Sequence, residues 1–211
     1  MTALGLVELD LLATHAGVTP PFPLNARSFG RISGERELLL AVAVQTLRMR
    51  GLASPDGPTG MAAELVTALR EHRGTVDLTL TDPETSVVAL IYRDRALVCH
   101  QTSDELHLRR IADTAVAAEL MTYVPEHPAA KCFPFTVDLA NPGEDLPEVT
   151  GKGQLGATRN GARAGAELSW VDGPLGRLKV DVSDGTLSVN PLRQAALRLA
   201  VEELTTIARS R

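Results

Sequence analysis

Hydrophobic and polar residues alternate with period two through two stretches of this chain, and each stretch closes in a run of helical period. From Val76 the chain reads VDLTLT, SVVALIYR, RALVCHQ and ELHLRRI, then an apolar stretch from Ala112 to Val124 without Gly or Pro. From Gly153 it reads GQLGATR, AELSWVD, GRLKVDV and TLSVN, then LRQAALRLAVEELTTIAR. Alternation of this kind predicts half-buried strands, and the closing runs predict helices. Each stretch is a ββββα unit, with Tyr92 opposite Trp170 and Leu106 opposite Leu187 at nearly constant spacing. One such unit leaves a sheet face bare. Two can cover each other's exposed surface within one domain.

Turn chemistry sets the register inside each unit. A hairpin closing at Ser103-Asp104 puts Cys99 opposite Leu108 and Leu97 opposite Arg110, so Leu97, Cys99, Leu106 and Leu108 share a core-facing side. Asp184-Gly185 signals a type I′ turn that pairs Val182 with Leu187 and Val180 with Val189. Trp170 alternates inward with Ala166 and Leu168, which makes it a core anchor. The last helix carries Leu197, Val201, Leu204 and Ala208 on one side. Gln194, Arg198, Glu202, Thr205 and Arg209 form a polar stripe on the other.

Upstream, residues 3–7 read as a short strand running into a helix through Leu9, Leu12 and His15 that ends at Gly17. Pro20, Pro21 and Pro23 force an extended loop, because proline neither donates to a ladder nor continues a helix. Ser33 is the expected N-cap of a helix over 34–50, with Leu39, Val42, Ala43 and Leu47 on one face and Gly51 as its C′ residue. A turn-rich connector over 54–60 leads to a third helix striped by Met61, Leu65 and Leu69. FTVDLA (135–140) resembles GLVELDLL (5–12), each a strand that opens a copy of the repeat. In the first copy a long, mostly helical segment follows that strand. In the second only NPGEDLPEVTG intervenes, too short for an ordinary helix, so no helix is expected between the opening strand and Gly153. The expected fold is α/β (α+β). It is a quasi-two-fold antiparallel sheet of two ββββα units, with an N-terminal helical bundle and a reduced second bundle. One domain is expected over 1–211, its halves spanning 1–124 and 133–211.

Bulk properties narrow the function classes. A chain of 211 residues with 44% hydrophobic and 22% charged residues is an ordinary globular protein. With aromatics at 3%, its core must rest on Leu, Val and Ala. A net charge of −5 argues against nucleic acid as the main partner. No apolar run reaches the ~20 residues a membrane span requires. The start, MTALGLVELDLL, lacks a basic n-region and a cleavage site. Cys99 and Cys132 show no CxxC spacing and fit reduced thiols, so the expected location is cytoplasmic.

The chemical motifs favour structural readings. Residues 151–156 match G-x-G-x-x-G, with Asp172 further on, but a dinucleotide site needs the motif to open a helix, and here strands follow. His100 and His107 face each other across a predicted hairpin without a third ligand at an obvious position, which fits a cross-strand pair. His15, His72 and His127 read as surface or helix-end residues. Glu35 and Glu37 sit in a first helical turn, where carboxylates suit the dipole. With no GxSxG, HExxH or P-loop, the chain is expected to be no enzyme and to have no catalytic residue, cofactor or metal site.

The run LGLVELDLLATHAGVTPPFPL, followed by GRISGERELLLAVAVQTLRMRGLASPDG, resembles the EspG family of type VII (ESX) secretion-associated proteins. Its helix ends in the R-x-R-G-L pattern as Arg48-Met49-Arg50-Gly51-Leu52. The second half is similar too, through Gly153-Gln154-Leu155-Gly156 and through Ser169-Trp170-Val171-Asp172 followed by Gly176-Arg177. The resemblance spans residues 3–124 and 151–209. It implies a cytosolic, non-enzymatic actinobacterial chaperone that covers the apolar tip of a helical PE–PPE heterodimer and delivers it to the secretion machinery. It also implies a quasi-two-fold fold in which two helical bundles flank a central antiparallel sheet. Two departures stand out. The loop between the second and third strands, often long in the family and used for partner contact, is reduced to Asp82, Pro83, Glu84 and Thr85. The helices of the second bundle are largely missing. The expected partner surface is the sheet bared by that loss, the loop residues Asp82, Pro83, Glu84 and Thr85, and Gln194, Arg198 and Glu202 on the last helix. The alternative is a homodimeric module of the same fold that no longer binds PE–PPE proteins and uses a second copy as its missing layer.

Overall fold

The alternating segments pair into an antiparallel sheet, which a computed structural model of the protein describes over residues 1–25, 29–30, 32, 34–140 and 148–210. The chain opens with β1 (Thr2–Gly5), α1 (Leu6–Ala16) and α2 (Glu35–Met49). The two-residue strands β2 (Ala53–Ser54) and β3 (Gly57–Pro58) lead into α3 (Gly60–Glu71). Four strands follow: β4 (Gly74–Thr81), β5 (Glu84–Tyr92), β6 (Arg95–Gln101) and β7 (Glu105–Ala112). A 3₁₀ turn then runs into the short α4 (Val116–Met121), and β8 (Phe135–Asp138) opens the second half. The chain ends with β9 (Gly151–Arg159), β10 (Ala162–Asp172), β11 (Leu178–Ser183), β12 (Thr186–Pro191) and α5 (Gln194–Arg209).

The order across the sheet is β1-β7-β6-β5-β4-β9-β10-β11-β12-β8. The halves meet at the antiparallel β4–β9 pair, Leu78 against Leu155, and from there each runs outward in the same sequence. Each opening strand returns to the edge beside the last strand of its own half: β1 on β7, β8 on β12. The repeat therefore includes its opening strands, but the first is Thr2–Gly5 and not GLVELDLL, whose residues 6–12 lie in α1. Register makes Thr2–Gly5 the counterpart of Phe135–Asp138. A second equivalence also needs correction. Tyr92 packs under α3 and Trp170 under α5, so they lie on opposite sides of the sheet. The register of β10 on β9 shifts between Arg163 and Glu167, and an odd residue in a strand moves later side chains to the other side.

The sheet separates two cores. On one side α4 and α5 cover Val76, Leu78, Ala89, Val98, Leu155 and Trp170. On the other side α1 and α3 cover Val88, Leu90, Leu97, Cys99, Leu106 and Leu108, but only in the first half. The registers that the Ser103-Asp104 and Asp184-Gly185 turns predict are present, including Cys99 on Leu108 and Val180 on Val189.

Three helical details differ from the sequence pattern. Val42 is 53% exposed because α2 packs on α1 and not on the sheet, so only the strip through Ala43 and Leu47 is buried. Thr205 is buried and not part of the polar stripe: α5 lies across both β4 and β9, and Thr205 satisfies its hydroxyl by donating to the Val201 carbonyl at 2.7 Å. The helix expected over 112–124 is only α4, two turns or less, after a 3₁₀ start. The Ser33 cap lies outside the described residues. Residues 141–147 do too, and with them most of the segment expected to hold no helix; residues 139–140 and 148–150 are not helical.

Candidate partner-binding surface

Residues that share sequence motifs in this chain turn out to hold the scaffold together. On α1, the buried Glu8 accepts from Gly5 N at 2.9 Å, Thr46 Oγ1 at 3.0 Å and Arg50 Nη1 at 2.9 Å. Asp10 takes Arg36 in a bidentate pair at 2.5 and 2.9 Å. These two pairs tie both ends of α2 to α1. Arg50 also donates through Nη2 to the Ala3 carbonyl of the edge strand β1.

In the second half Arg177 is fully buried, and its fork meets Asp172 at 2.7 and 2.8 Å. It also donates to Gln194 Oε1 at 2.7 Å and to the Pro125 carbonyl at 3.0 Å, and its guanidinium lies 5.6 Å from the Trp170 ring. A buried guanidinium is tolerable only when its donors are met this fully. The two glycines of Gly153-Gln154-Leu155-Gly156 are cleared for large side chains. A Cβ on Gly153 would lie 2.0 Å from Trp170 Cζ2, and one on Gly156 would lie 1.9 Å from Arg163 Nη2. Arg163 crosses Gly156 to reach the buried Asp77 at 2.5 Å and also bonds Glu167 at 2.5 Å. Burial pushes the Asp77 carboxyl up even though Arg163 pulls it down.

Among the described residues, the surface left open is the second half of the side covered by α1 and α3 in the first. Register places Val171, Leu178, Val180, Val182, Leu187 and Val189 together there, with Phe135 and Val137 of β8 continuing the row. On the α5 side the same strands carry Lys179, Asp181, Ser188 and Asn190. Alternation puts the apolar side of β11 and β12 away from their own helix. The segment before β8 covers part of it: Ala129 bridges Arg177, Ala130 N donates to the Arg177 carbonyl at 3.0 Å, and Ala130 and Cys132 pack on Leu178 and Val189. Beyond that strap Val182 is 68% exposed and Phe133 91%.

The sequence matches the EspG family over residues 6–203. The chain belongs to the EspG family. No curated protein matches it. In fold it is similar to the Mycobacterium tuberculosis type VII secretion system chaperone EspG5, solved in complex with a PE25–PPE41 dimer. The TM-score is 0.68 over 96% of this chain and 95% of that one, at 13% identity, so the likeness is one of fold.

Against this EspG-type fold the sequence-predicted contact residues fall in three places. Asp82, Pro83 and Glu84 are exposed at the β4–β5 turn, while Thr85 is buried and donates its hydroxyl to the Pro83 carbonyl at 3.0 Å. Gln194 is held by Arg177 at the start of α5. Arg198 and Glu202 are exposed on α5, on the opposite side of the sheet from the bare row. The structure does not bring the α5 pair and the bare row onto one surface. Phe133 and Phe135 were not among the sequence-predicted contact residues, Phe135 being read only as the start of a strand; an aromatic on each side of Pro134, in a chain with few aromatics, was the available signal. His100 and His107 do pair across the hairpin, with ring centroids 5.9 Å apart and Tyr123 edge-on to His100 at 5.0 Å. Among the described residues no group of three His, Cys, Asp or Glu could hold a metal, and no helix is long and apolar enough to cross a membrane. Residues 151–156 lie in β9 and lead into β10, without the helix N-terminus that a pyrophosphate needs.

Proposed function

We propose that this chain is a non-enzymatic chaperone of a type VII secretion system, which holds a helical PE–PPE-like pair in the cytoplasm. Family membership and a fold similar to that of EspG5, itself solved with PE25–PPE41, support the reading. The observation that carries it is the direction of the alternation in β11 and β12, which turns apolar Val180, Val182 and Leu187 away from α5, toward the side that no described helix covers in this half. Soluble chains rarely keep such a row without a partner. The apolar tip of a helical pair would cover it, and Asp82, Pro83 and Glu84 would meet the partner at the rim. Gln194 stays a scaffold residue, and Arg198 and Glu202 contribute only if the partner wraps around the sheet.

The test is coexpression with each PE–PPE pair of the host in turn, followed by light scattering on the purified complex. A stoichiometric ternary complex with at least one pair is expected, and its formation should fail with Val182→Asp. If no pair binds, the chaperone reading falls. The same apolar row supports a second reading, a homodimer in which a second copy supplies the missing layer. A mass of two chains that does not change on dilution would favour it.

A further inference from the structure

A second opening lies on the other half of the molecule, and its lining differs from that of the bare row. A cleft of ≈ 1280 Å³ runs between α2 and the tips of the β4–β5 and β6–β7 hairpins. Leu39, Val42 and Ala43 of α2 form one wall, Leu6 and Val7 at the start of α1 lie at its base, and Glu84 and Asp104 stand on the hairpin side. α2 carries far more apolar surface than α1 covers. Ala43 and Leu47 are buried, whereas Leu38 is 65% and Val42 53% exposed. At about 100° per residue, the apolar sector continues from the buried strip across the cleft to the solvent side of α2. α1 therefore fills only one of the two grooves this helix offers.

Among the described residues that line the cleft the free charges are one-sided. The one cation among them, Arg50, is already committed to Glu8 and to the Ala3 carbonyl. Glu84 and Asp104 are exposed and have no ion pair among the described residues.

We propose that this cleft binds an amphipathic α-helix from a partner protein, apolar on the face that meets α2 and basic along the flank that meets the hairpin tips. α2 has 15 residues, and at 1.5 Å per residue a helix of about four turns lies along its length. Apolar anchors at i, i+3, i+4 and i+7 would seat against Leu39, Val42 and the base of the cleft, as in other helix-in-groove complexes. Lys or Arg on the flank would answer Glu84 and Asp104, which adds orientation and association rate. The inference uses a different wall of the molecule from the chaperone reading and shares with it only Glu84, so the Val42 and Val182 variants separate the two.

The test uses two fluorescent 16-residue helical peptides with the same leucine face, one with a lysine flank and one with a glutamate flank, titrated against the full chain. At low salt the lysine peptide is expected to bind roughly tenfold more tightly or better, with the advantage shrinking as salt screens the rim. Val42→Asp should weaken it by about tenfold or more, and so should Leu39→Glu if the first variant melts early. Glu84→Lys combined with Asp104→Lys should reverse the preference between the two peptides. The proposal is overturned if neither peptide binds, if both bind the parent chain equally, or if Val182→Asp weakens binding as much as Val42→Asp does.

Discussion

Leu97, Cys99, Leu106 and Leu108 in the first half answer to Leu178, Val180, Leu187 and Val189 in the second: the same strands, hairpin and side of the sheet. All four in the first half are fully buried under α1 and α3. In the second half Leu178 and Val189 are buried by the strap before β8, while Val180 and Leu187 remain half-buried. Among the described residues the apolar pattern is kept where no helix covers it. A sheet with no use for that side would have let it turn polar, as the α5 side of β11 and β12 is. The difference teaches that the two halves share a backbone plan but not an occupant: helices of the chain itself in one, a strap and an open row in the other.

The largest effect should come from the anchor the second half does keep. Trp170→Ala is expected to cost roughly 3–5 kcal/mol in denaturant melts, since the ring is buried and supports Arg177 as well as α5. A loss below about 1 kcal/mol would contradict its placement. The matched pair comes next. Leu106→Ala should cost about 2–5 kcal/mol, and its counterpart Leu187→Ala about 1 kcal/mol or less, because only the first lies under helices. Equal losses would mean that the second half is covered after all. Val182→Asp should leave the melting curve within about 0.5 kcal/mol of the parent, because its side chain already meets water.

The smallest effect concerns a feature of the first half with no counterpart in the second, where Asp181 and Ser188 occupy the positions of His100 and His107. Burial, with His107 adding to it, holds the His100 pKa below its ordinary 6.5. The folded state then binds fewer protons than the unfolded one, so stability is present above pH 6.5 and declines as pH falls through the lowered value. Near the pair, Glu105 lies 3.6 Å from His107, while Glu119 is taken by Arg109 at 2.8 Å. His100→Gln should flatten that part of the pH–stability curve.

Much of this was legible in the chain. Alternation and two turn dipeptides set the hairpin registers, and FTVDLA held one edge strand, but its likeness to GLVELDLL misled: residues 6–12 form the start of α1, and the matching strand is Thr2–Gly5. What escaped had physical reasons. The irregularity between Arg163 and Glu167 moved Trp170 to the other side from Tyr92, and an odd residue in a strand leaves no mark on spacing alone. Val42 fits a core stripe by period, yet period cannot tell whether a helix packs on a sheet or on a second helix. The strap through Ala129 and Ala130 has no period, because backbone bonds to Arg177 and Ala130's small contact hold it. The candidate surface was legible as a side that would be bared, and not as the particular row from Val182 to Phe135.

Hydrogen–deuterium exchange of the chain alone and with a PE–PPE pair that it binds in coexpression bears most directly on which surface takes the proposed partner. Protection is expected in β11, β12 and β8 and at the turn holding Asp82 and Glu84, with the exposed side of α5 unchanged. Protection confined to residues 194–209, with β11 and β12 exchanging as in the free chain, would contradict the account.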